Sequence, residues 1–343
     1  MNKTILKTPL GNSEIIIEEH GLGLVNKWMK EKHPTSRMVI ITDTNIGDIY
    51  KDKLVELFPE SQILSVAAGD VSKSLAVVNQ LAKELLDVGF TRYDVIVGFG
   101  GGMITDLAGF VASIYMRGVP LILIPTSFVG MVDAAIGGKT ALNLEAKNIL
   151  GTFYPAELVL IDSDFVQGLS DHHISTGIAE VIKCAATLDK SLVYDLMQES
   201  IDLETIITKS VNAKVNVVNQ DMMETGIRKV LNFGHTFGHA IEQASEYRLM
   251  HGEAVSIGMV IANKIAQKLG RQRPGTGEKI EEMLKKFKLP CEMPTGFKVE
   301  DLVELIKKDK KKHDGKITFI IAPEMGKFEM IEFTPEELIT LAG

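Results

Sequence analysis

The chain has 343 residues, 45% of them hydrophobic and 24% charged, so it can bury a sizeable core and is long enough for two domains. Its formal net charge of -8 disfavours nucleic-acid and membrane-surface partners and favours small molecules, although anions can still meet locally basic sites. Cys184 and Cys291 lie far apart with no CxxC pairing, and the opening residues carry no apolar signal core, which points to a reducing cytoplasm.

The first segment, LKTPLGNSEIIIEE at 6–19, predicts an antiparallel edge hairpin turning at Gly11-Asn12. Short β-branched runs then follow at 38–43, 63–68, 94–100, 119–126 and 157–162, alternating with amphipathic helical stretches. That alternation predicts βαβ units and a mostly parallel sheet. One of the runs continues into VGFGGGMITDLAGF at 97–110, which leaves a strand and opens a helix. The backbone N–H groups from Gly101 onward can therefore face a pyrophosphate at the positive helix end, although the pattern is not GxGxxG and a plain strand-to-helix turn accounts for it equally. DAAIGGKTALNLEAKNILGTF at 133–153 reads as a long connection, with Lys139, Lys147, Asn143 and Asn148 among small residues. Phosphate or hydroxyl recognition and a solvated charged loop both fit it.

After about residue 165 the pattern turns helical, with periods at 173–189, 201–220, 226–247, 251–270 and 276–288. Only 316–321 and 327–333 read as strands, in a small hairpin. The expected architecture is an α/β Rossmann-like amino-terminal domain over 1–165, and a mainly α-helical carboxyl-terminal domain over 166–343 with the active site in the cleft between them. Glu180 and Lys183 stand three apart in GIAEVIK, ordinarily the mark of a surface ion pair, but the apolar flanks suggest burial and hence a cation or metal beside the carboxylate. His235, His239 and His251 fall within seventeen residues and suit a metal, though spacing alone cannot choose among them. His235 and His239 resemble the pair of HExxH, but Thr236 occupies the place of its glutamate base, so a zinc protease is disfavoured. The run IKKDKKKHDGKITF at 306–319 reads, by itself, as a solvated helix end.

Taken in order, GGGMITDLAGF, YMRGVP, VDAAIGGKT, KNILGTF, GIAEVIK, LNFGHTFGHAIE, HGEAVSIGM and DKKKHDGKITF resemble the 3-dehydroquinate synthase family of sugar phosphate cyclases, over roughly residues 40–320. The resemblance implies a dehydroquinate synthase-like fold and an enzyme that needs NAD and a divalent metal, zinc or cobalt. It further implies conversion of 3-deoxy-D-arabino-heptulosonate 7-phosphate to 3-dehydroquinate and phosphate in aromatic amino-acid biosynthesis. A hydroxyl is oxidised transiently by NAD, phosphate leaves and itself serves as base, the ketone is reduced again, and an aldol step closes the ring.

By the same resemblance Glu180, His235 and His251 hold the metal, and His239 faces substrate. Lys139, Asn148, Lys183, Lys214, Arg228, Asn232 and a lysine of the Lys310-Lys311 run match substrate-contacting positions, which reverses the solvated reading of that run. Arg117 matches an arginine supplied by the neighbouring subunit and so implies a homodimer. Asp43, Asn45, Asp70, Lys73, Gly101, Gly102, Met103, Asp106, Thr126, Ser127, Asp133, Lys139 and Lys147 match NAD-binding positions. Departures gather around NAD and the adjoining loop: Thr105 for a glycine, Asp70 for a glutamate, Gly168 for a threonine, Ala134-Ala135 for a serine-containing pair, and a shortened loop before Lys147-Asn148. The rival readings are another sugar phosphate cyclase of the 2-deoxy-scyllo-inosose or aminodehydroquinate synthase type, a metal-dependent polyol dehydrogenase, and a non-catalytic scaffold.

Overall fold

The computed structural model describes residues 1–309 and 315–343, and the chain divides into two compact units, 1–169 with 214–223, and 170–213 with 224–343. The strands of the first unit are β1 (Asn2–Thr8), β2 (Gly11–Ile17), β3 (Met38–Asp43), β4 (Gln62–Val66), β5 (Val95–Gly100), β6 (Leu121–Pro125), β7 (Lys139–Leu142), β8 (Leu150–Phe153) and β9 (Leu158–Ile161). Seven of them form one sheet in the order β1-β2-β9-β6-β5-β3-β4, parallel throughout except for β1 against β2. Every residue of β5, β6 and β9 is buried, as expected for central strands covered on both faces.

The helices of this unit are α1 (Leu24–Lys32), α2 (Thr44–Leu57), α3 (Leu75–Asp87) and α4 (Gly102–Ile114). From β3 the chain passes to β4 on one side, then returns to β5 on the other, so the winding reverses between β3 and β5. Ligands of such sheets lie beyond the carboxyl ends of the strands at that reversal, which here are Asp43 and Gly100. Helix α4 packs closely on β5, since a Cβ at Gly98 would stand 2.8 Å from Ala108 Cβ and one at Gly100 2.8 Å from Ile104.

Two expectations for this unit need correction. The β1–β2 register pairs Thr8 with Gly11, so the hairpin turns at Pro9-Leu10 and not at Gly11-Asn12; Pro9 has no N–H for the ladder and its fixed φ suits a turn. The stretch 133–153 is not a plain connection, because β7 and β8 pair antiparallel within it, with Thr140 Oγ1 2.7 Å from Thr152 Oγ1.

At the opposite, amino-terminal ends of β3 and β5, Asp94 accepts hydrogen bonds from the backbone N–H groups of Arg37 (2.9 Å) and Thr91 (2.7 Å) and pairs with the Arg37 guanidinium at 2.7 Å. Burial opposes its ionisation, but Arg37 and Thr91 prevail and bring its pKa down to about 2. A depressed carboxyl pKa stabilises the fold above its unfolded value near 3.8, and that contribution is lost as pH falls toward 2. The contribution at neutral pH is about 2 kcal/mol. Asp94→Ala is therefore expected to lower stability to urea by about 2–3 kcal/mol at pH 7 and by much less near pH 2; a loss that does not change with pH would contradict this assignment.

The second unit contains α5 (Asp171–Thr187), α6 (Ser191–Met197), the first part of α7 (Leu203–Gln220), α8 (His235–Ala244), α9 (His251–Lys268), α10 (Thr276–Lys286), α11 (Val299–Asp309), a hairpin of β10 (Ile317–Ile321) and β11 (Glu329–Phe333), and α12 (Pro335–Ala342). The expected division at 165/166 differs from the observed one in that 166–169 and 214–223 pack with the first unit. Polar anchors explain the latter segment: Lys214 Nζ donates to the Asp133 carbonyl at 2.6 Å, and Asn219 Oδ1 accepts from Lys7 N at 2.8 Å. The period over 226–247 is not one helix either. A short 3-10 segment, Ile227–Asn232, gives way to Gly234 at φ +78, which ends it and opens α8.

Candidate functional site

In the first unit the residues expected at NAD gather at the carboxyl ends of β3 to β6. Gly101 is the N-cap of α4 and offers no side chain to its first N–H groups, from Gly102 and Met103 onward. Beside it, a Cβ at Gly101 would lie 3.4 Å from Ser127 Oγ, and one at Gly102 would lie 3.3 Å from the Ala134 methyl. Ser127 Oγ accepts from Gly130 N, where a single π-helical turn, Gly130–Ala134, carries Asp133 toward Lys214. The buried Thr126 Oγ1 has no hydrogen-bond partner among the described residues. A helix N-terminus that no side chain caps, next to an orphaned hydroxyl, fits the pyrophosphate and ribose of a dinucleotide.

Several of the remaining NAD positions already engage one another. Lys73 Nζ is 2.8 Å from Asp106 Oδ2 and 2.6 Å from Asn148 Oδ1, so Asn148, expected at substrate, is tied to a residue expected at NAD. Burial raises the Asp106 carboxyl while Lys73 opposes it. Lys147 pairs with Asp70 at 3.0 Å, and Asn143 holds this loop through Lys73 O and Asn148 N. Asp43 caps α2 by accepting from Asn45 N (3.0 Å) and Ile46 N (3.1 Å). Asn45, Lys139 and Arg117 are exposed, and Arg117 has φ +71 directly after Met116 at φ +47. Of the departures, Thr105 folds its hydroxyl back to the Gly102 carbonyl at 2.9 Å and stays buried, so it leaves the helix N-terminus open.

In the second unit a cluster forms from the middle of α5 and the first residues of α8 and α9. Glu180 on α5 is 1% exposed. Its Oε2 lies against the Lys183 ammonium, and its Oε1 lies 3.5 Å from His235 Nε2 and 3.3 Å from His251 Nε2. Neither carboxylate oxygen has a well-formed hydrogen bond among the described residues. Burial works against its charge, yet Lys183 and then His235 outweigh it and hold the carboxyl well below its usual range. Burial likewise favours a neutral His251, but Glu180 and Glu242 raise its pKa to about 10. A carboxylate this deeply buried demands a cation.

The donors suit a metal ion. His235 Nδ1 is 3.0 Å from the Phe233 carbonyl, and His251 Nδ1 is 3.3 Å from Glu242 Oε2. With a metal bound, the proton each ring keeps would lie on Nδ1 toward these acceptors, leaving both Nε2 lone pairs to the ion beside Glu180 Oε1. Two ligands of an ion held tetrahedrally at about 2.0–2.1 Å stand about 3.3–3.4 Å apart, close to the spacings observed. His239 joins the group, since the three imidazoles place donor atoms within 4.8 Å of one another, but it is exposed where His235 is buried.

Glycines let the helices approach. A Cβ at Gly258 of α9 would collide with the Gly234 carbonyl, one at Gly252 with the Thr176 carbonyl of α5, and one at Gly238 of α8 would stand 3.0 Å from Val255 Cα. Each close crossing brings a helix of the cluster against α9. Lys183 and Arg228 are both buried in this unit, and Asn232 Nδ2 donates to Glu224 Oε1 at 2.7 Å. Lys310 and Lys311 lie outside the described residues. Sequence reasoning passed over Glu224 and Glu242; the second is legible as the i+7 position on the face of His235 and His239.

Comparison with known proteins decides the family. Residues 63–176 match the family model for the 3-dehydroquinate synthase N-terminal region, and residues 177–312 match that for the C-terminal region. The chain belongs to the 3-dehydroquinate synthase family. It is 40% identical to the 3-dehydroquinate synthase of Pyrococcus abyssi, over 98% of this chain and 97% of that one. It is also 40% identical to that of Streptococcus mutans, over 95% of each. Among solved structures, a 2-deoxy-scyllo-inosose synthase complexed with carbaglucose-6-phosphate, NAD+ and Co2+ shares the fold at a TM-score of 0.90 and 24% identity, over 99% of both chains. A 2-epi-5-epi-valiolone synthase from Streptomyces hygroscopicus with NAD+ and Zn2+ bound superposes at 0.86 with 26% identity, over 96% of this chain and 94% of that one. The family membership accounts for the two-part architecture, an α/β Rossmann-like sheet followed by helices. No described helix is long and apolar enough to cross a membrane.

Proposed function

We infer that this chain is a lyase that converts 3-deoxy-D-arabino-heptulosonate 7-phosphate to 3-dehydroquinate and phosphate, using NAD and a divalent metal. The observation that supports it most is the 40% identity to 3-dehydroquinate synthases across nearly the whole chain, joined to a buried carboxylate that shares its oxygen with two imidazoles. Formation of 3-dehydroquinate from the heptulosonate phosphate by the purified protein tests it.

Glu180, His235 and His251 would hold the metal, and the backbone at Gly101-Gly102 with Thr126 and Ser127 would hold NAD. When bound, the metal would supply polarisation of the reacting hydroxyl and carbonyl, and NAD would supply reversible hydride transfer. The protein's own part is binding and proton management. Lys183 and Arg228, buried in the helical unit, offer fixed positive charge to the substrate's anionic groups. Asn232, oriented by Glu224, presents an amide for a hydroxyl. His239, exposed beside His235 and His251, is placed to take up or release a proton at its ring nitrogen. No carboxylate base is needed if the substrate phosphate takes the proton in its own elimination. Cys184 and Cys291, which form no disulfide, support a cytoplasmic enzyme, and Arg117, exposed on a strained turn, would complete the site of a second subunit in a homodimer.

This division of roles separates the histidines. His239→Ala is expected to keep stoichiometric zinc while kcat falls about 100-fold or more, the typical share of a positioned acid or base. His251→Ala should lose the metal. Atomic absorption on the two purified variants reads the difference, and metal loss in His239→Ala with retention in His251→Ala would reverse the assignment.

A further inference from the structure

Helix α8 presents His235, His239 and Glu242 at i, i+4 and i+7, so all three share the face that meets the start of α9. Glu242 is itself buried, and its Oε2 lies 3.3 Å from His251 Nδ1. The two imidazoles read as ligands, His235 and His251, are therefore oriented by different means. His235 Nδ1 faces a backbone carbonyl, that of Phe233, which no substitution removes, whereas His251 Nδ1 depends on a side chain two turns along the neighbouring helix.

His251 is also the less anchored ring. It opens α9, where the N-cap is Met250, and its side chain is 32% exposed against 9% for His235. A ring at a helix start with partial exposure has more rotamer freedom than one packed inside, and an acceptor on Nδ1 fixes its ring plane. A buried carboxylate that served packing alone would be costlier than glutamine or leucine at the same place, so its position argues for a charged or donor partner.

We propose that Glu242 is the positioning residue for His251, holding its Nε2 aimed at Glu180 so that a divalent metal binds at full affinity. The proposal rests on the reading of His251 as a ligand, and the test distinguishes the two. Zinc affinity of the purified full-length protein, measured by competition with a chromophoric chelator, is compared for the native protein, Glu242→Gln, Glu242→Leu and His251→Ala. The visible spectrum of each protein loaded with cobalt is recorded beside it.

Glu242→Leu is expected to weaken zinc binding about 10–100-fold, as loss of such outer partners does. Glu242→Gln, whose amide oxygen still accepts from Nδ1, should recover most of that loss, and its cobalt spectrum should stay closer to the native one than that of the leucine variant. His251→Ala should abolish stoichiometric binding. Native zinc affinity in Glu242→Leu with binding lost in His251→Ala would overturn the positioning role alone, whereas stoichiometric zinc in His251→Ala would overturn the ligand reading beneath it. If Glu242→Leu does not fold, Glu242→Gln decides: zinc affinity weakened to the same 10–100-fold range, despite the retained acceptor, would contradict the proposal.

Discussion

Glu180→Ala is expected to emerge without stoichiometric metal and with kcat/KM reduced by at least about 1000-fold, since a bound divalent ion contributes several kcal/mol of charge stabilisation to the reacting oxygen. Two losses combine in this variant. The first is the proposed ligand: Oε1 of Glu180 is the oxygen shared by the Nε2 atoms of His235 and His251, and with two imidazoles left the proposed site would lack the three protein donors of an open catalytic centre. The second is half of a buried ion pair, because Lys183 at 2% exposure is the other close neighbour of that carboxylate. Breaking a buried pair from one side costs about 3–5 kcal/mol. Glu180→Gln separates the effects, for it conserves the volume while removing the charge. Metal content by atomic absorption, beside urea unfolding of metal-free protein, reads both. Full metal content in Glu180→Ala would remove Glu180 from the ligand set.

Gly258→Ala should be nearly as damaging although it touches neither metal nor substrate. Its Cβ would occupy the place of the Gly234 carbonyl, backbone that cannot rotate aside, at the point where α8 begins and α9 crosses it. Relief requires the two helices to move apart, and overpacking of this kind costs about 1–3 kcal/mol or more. The same displacement carries His235 away from His251. The expected result is a fall in stability of about 3 kcal/mol accompanied by zinc binding at least about tenfold weaker. Destabilisation with native zinc affinity would show that the α8–α9 crossing does not set the spacing of the ligands.

How much of this was legible beforehand follows from which signals are local. β3, β5 and β6 announce themselves because buried parallel strands are unbroken apolar runs, and α9 because its period starts cleanly at His251. The hairpin of β7 and β8 was hidden, since four-residue strands rich in glycine, alanine and threonine carry little pattern. The turn at Pro9-Leu10 lost to the more familiar glycine-asparagine signal beside it. The expected helix over 226–247 overran Gly234, whose left-handed backbone is a tertiary demand and not a periodic one. Helix α12 could have been found from Thr334-Pro335-Glu336-Glu337, a capping box with proline at its first position.

The site divides the same way. Spacing on α8 showed that His235 and His239 share a face, and the structure extends that face to Glu242. Convergence with Glu180 from α5 depends on glycine crossings that only packing reveals, so the ligand set came from resemblance to the family and not from periodicity. The NAD side shows the opposite case. The glycine turn was readable as a helix N-terminus, while the engagement of Lys73 with Asp106 and Asn148 joins residues far apart in sequence.

The most direct measurement incubates the purified protein with the heptulosonate phosphate, a divalent metal and NAD well below the substrate concentration, following phosphate, 3-dehydroquinate and NADH absorbance together. Phosphate and 3-dehydroquinate appearing in equal amounts, past the amount of NAD and without net NADH, is the result expected. Stoichiometric accumulation of NADH, or phosphate release with no 3-dehydroquinate, would contradict the account.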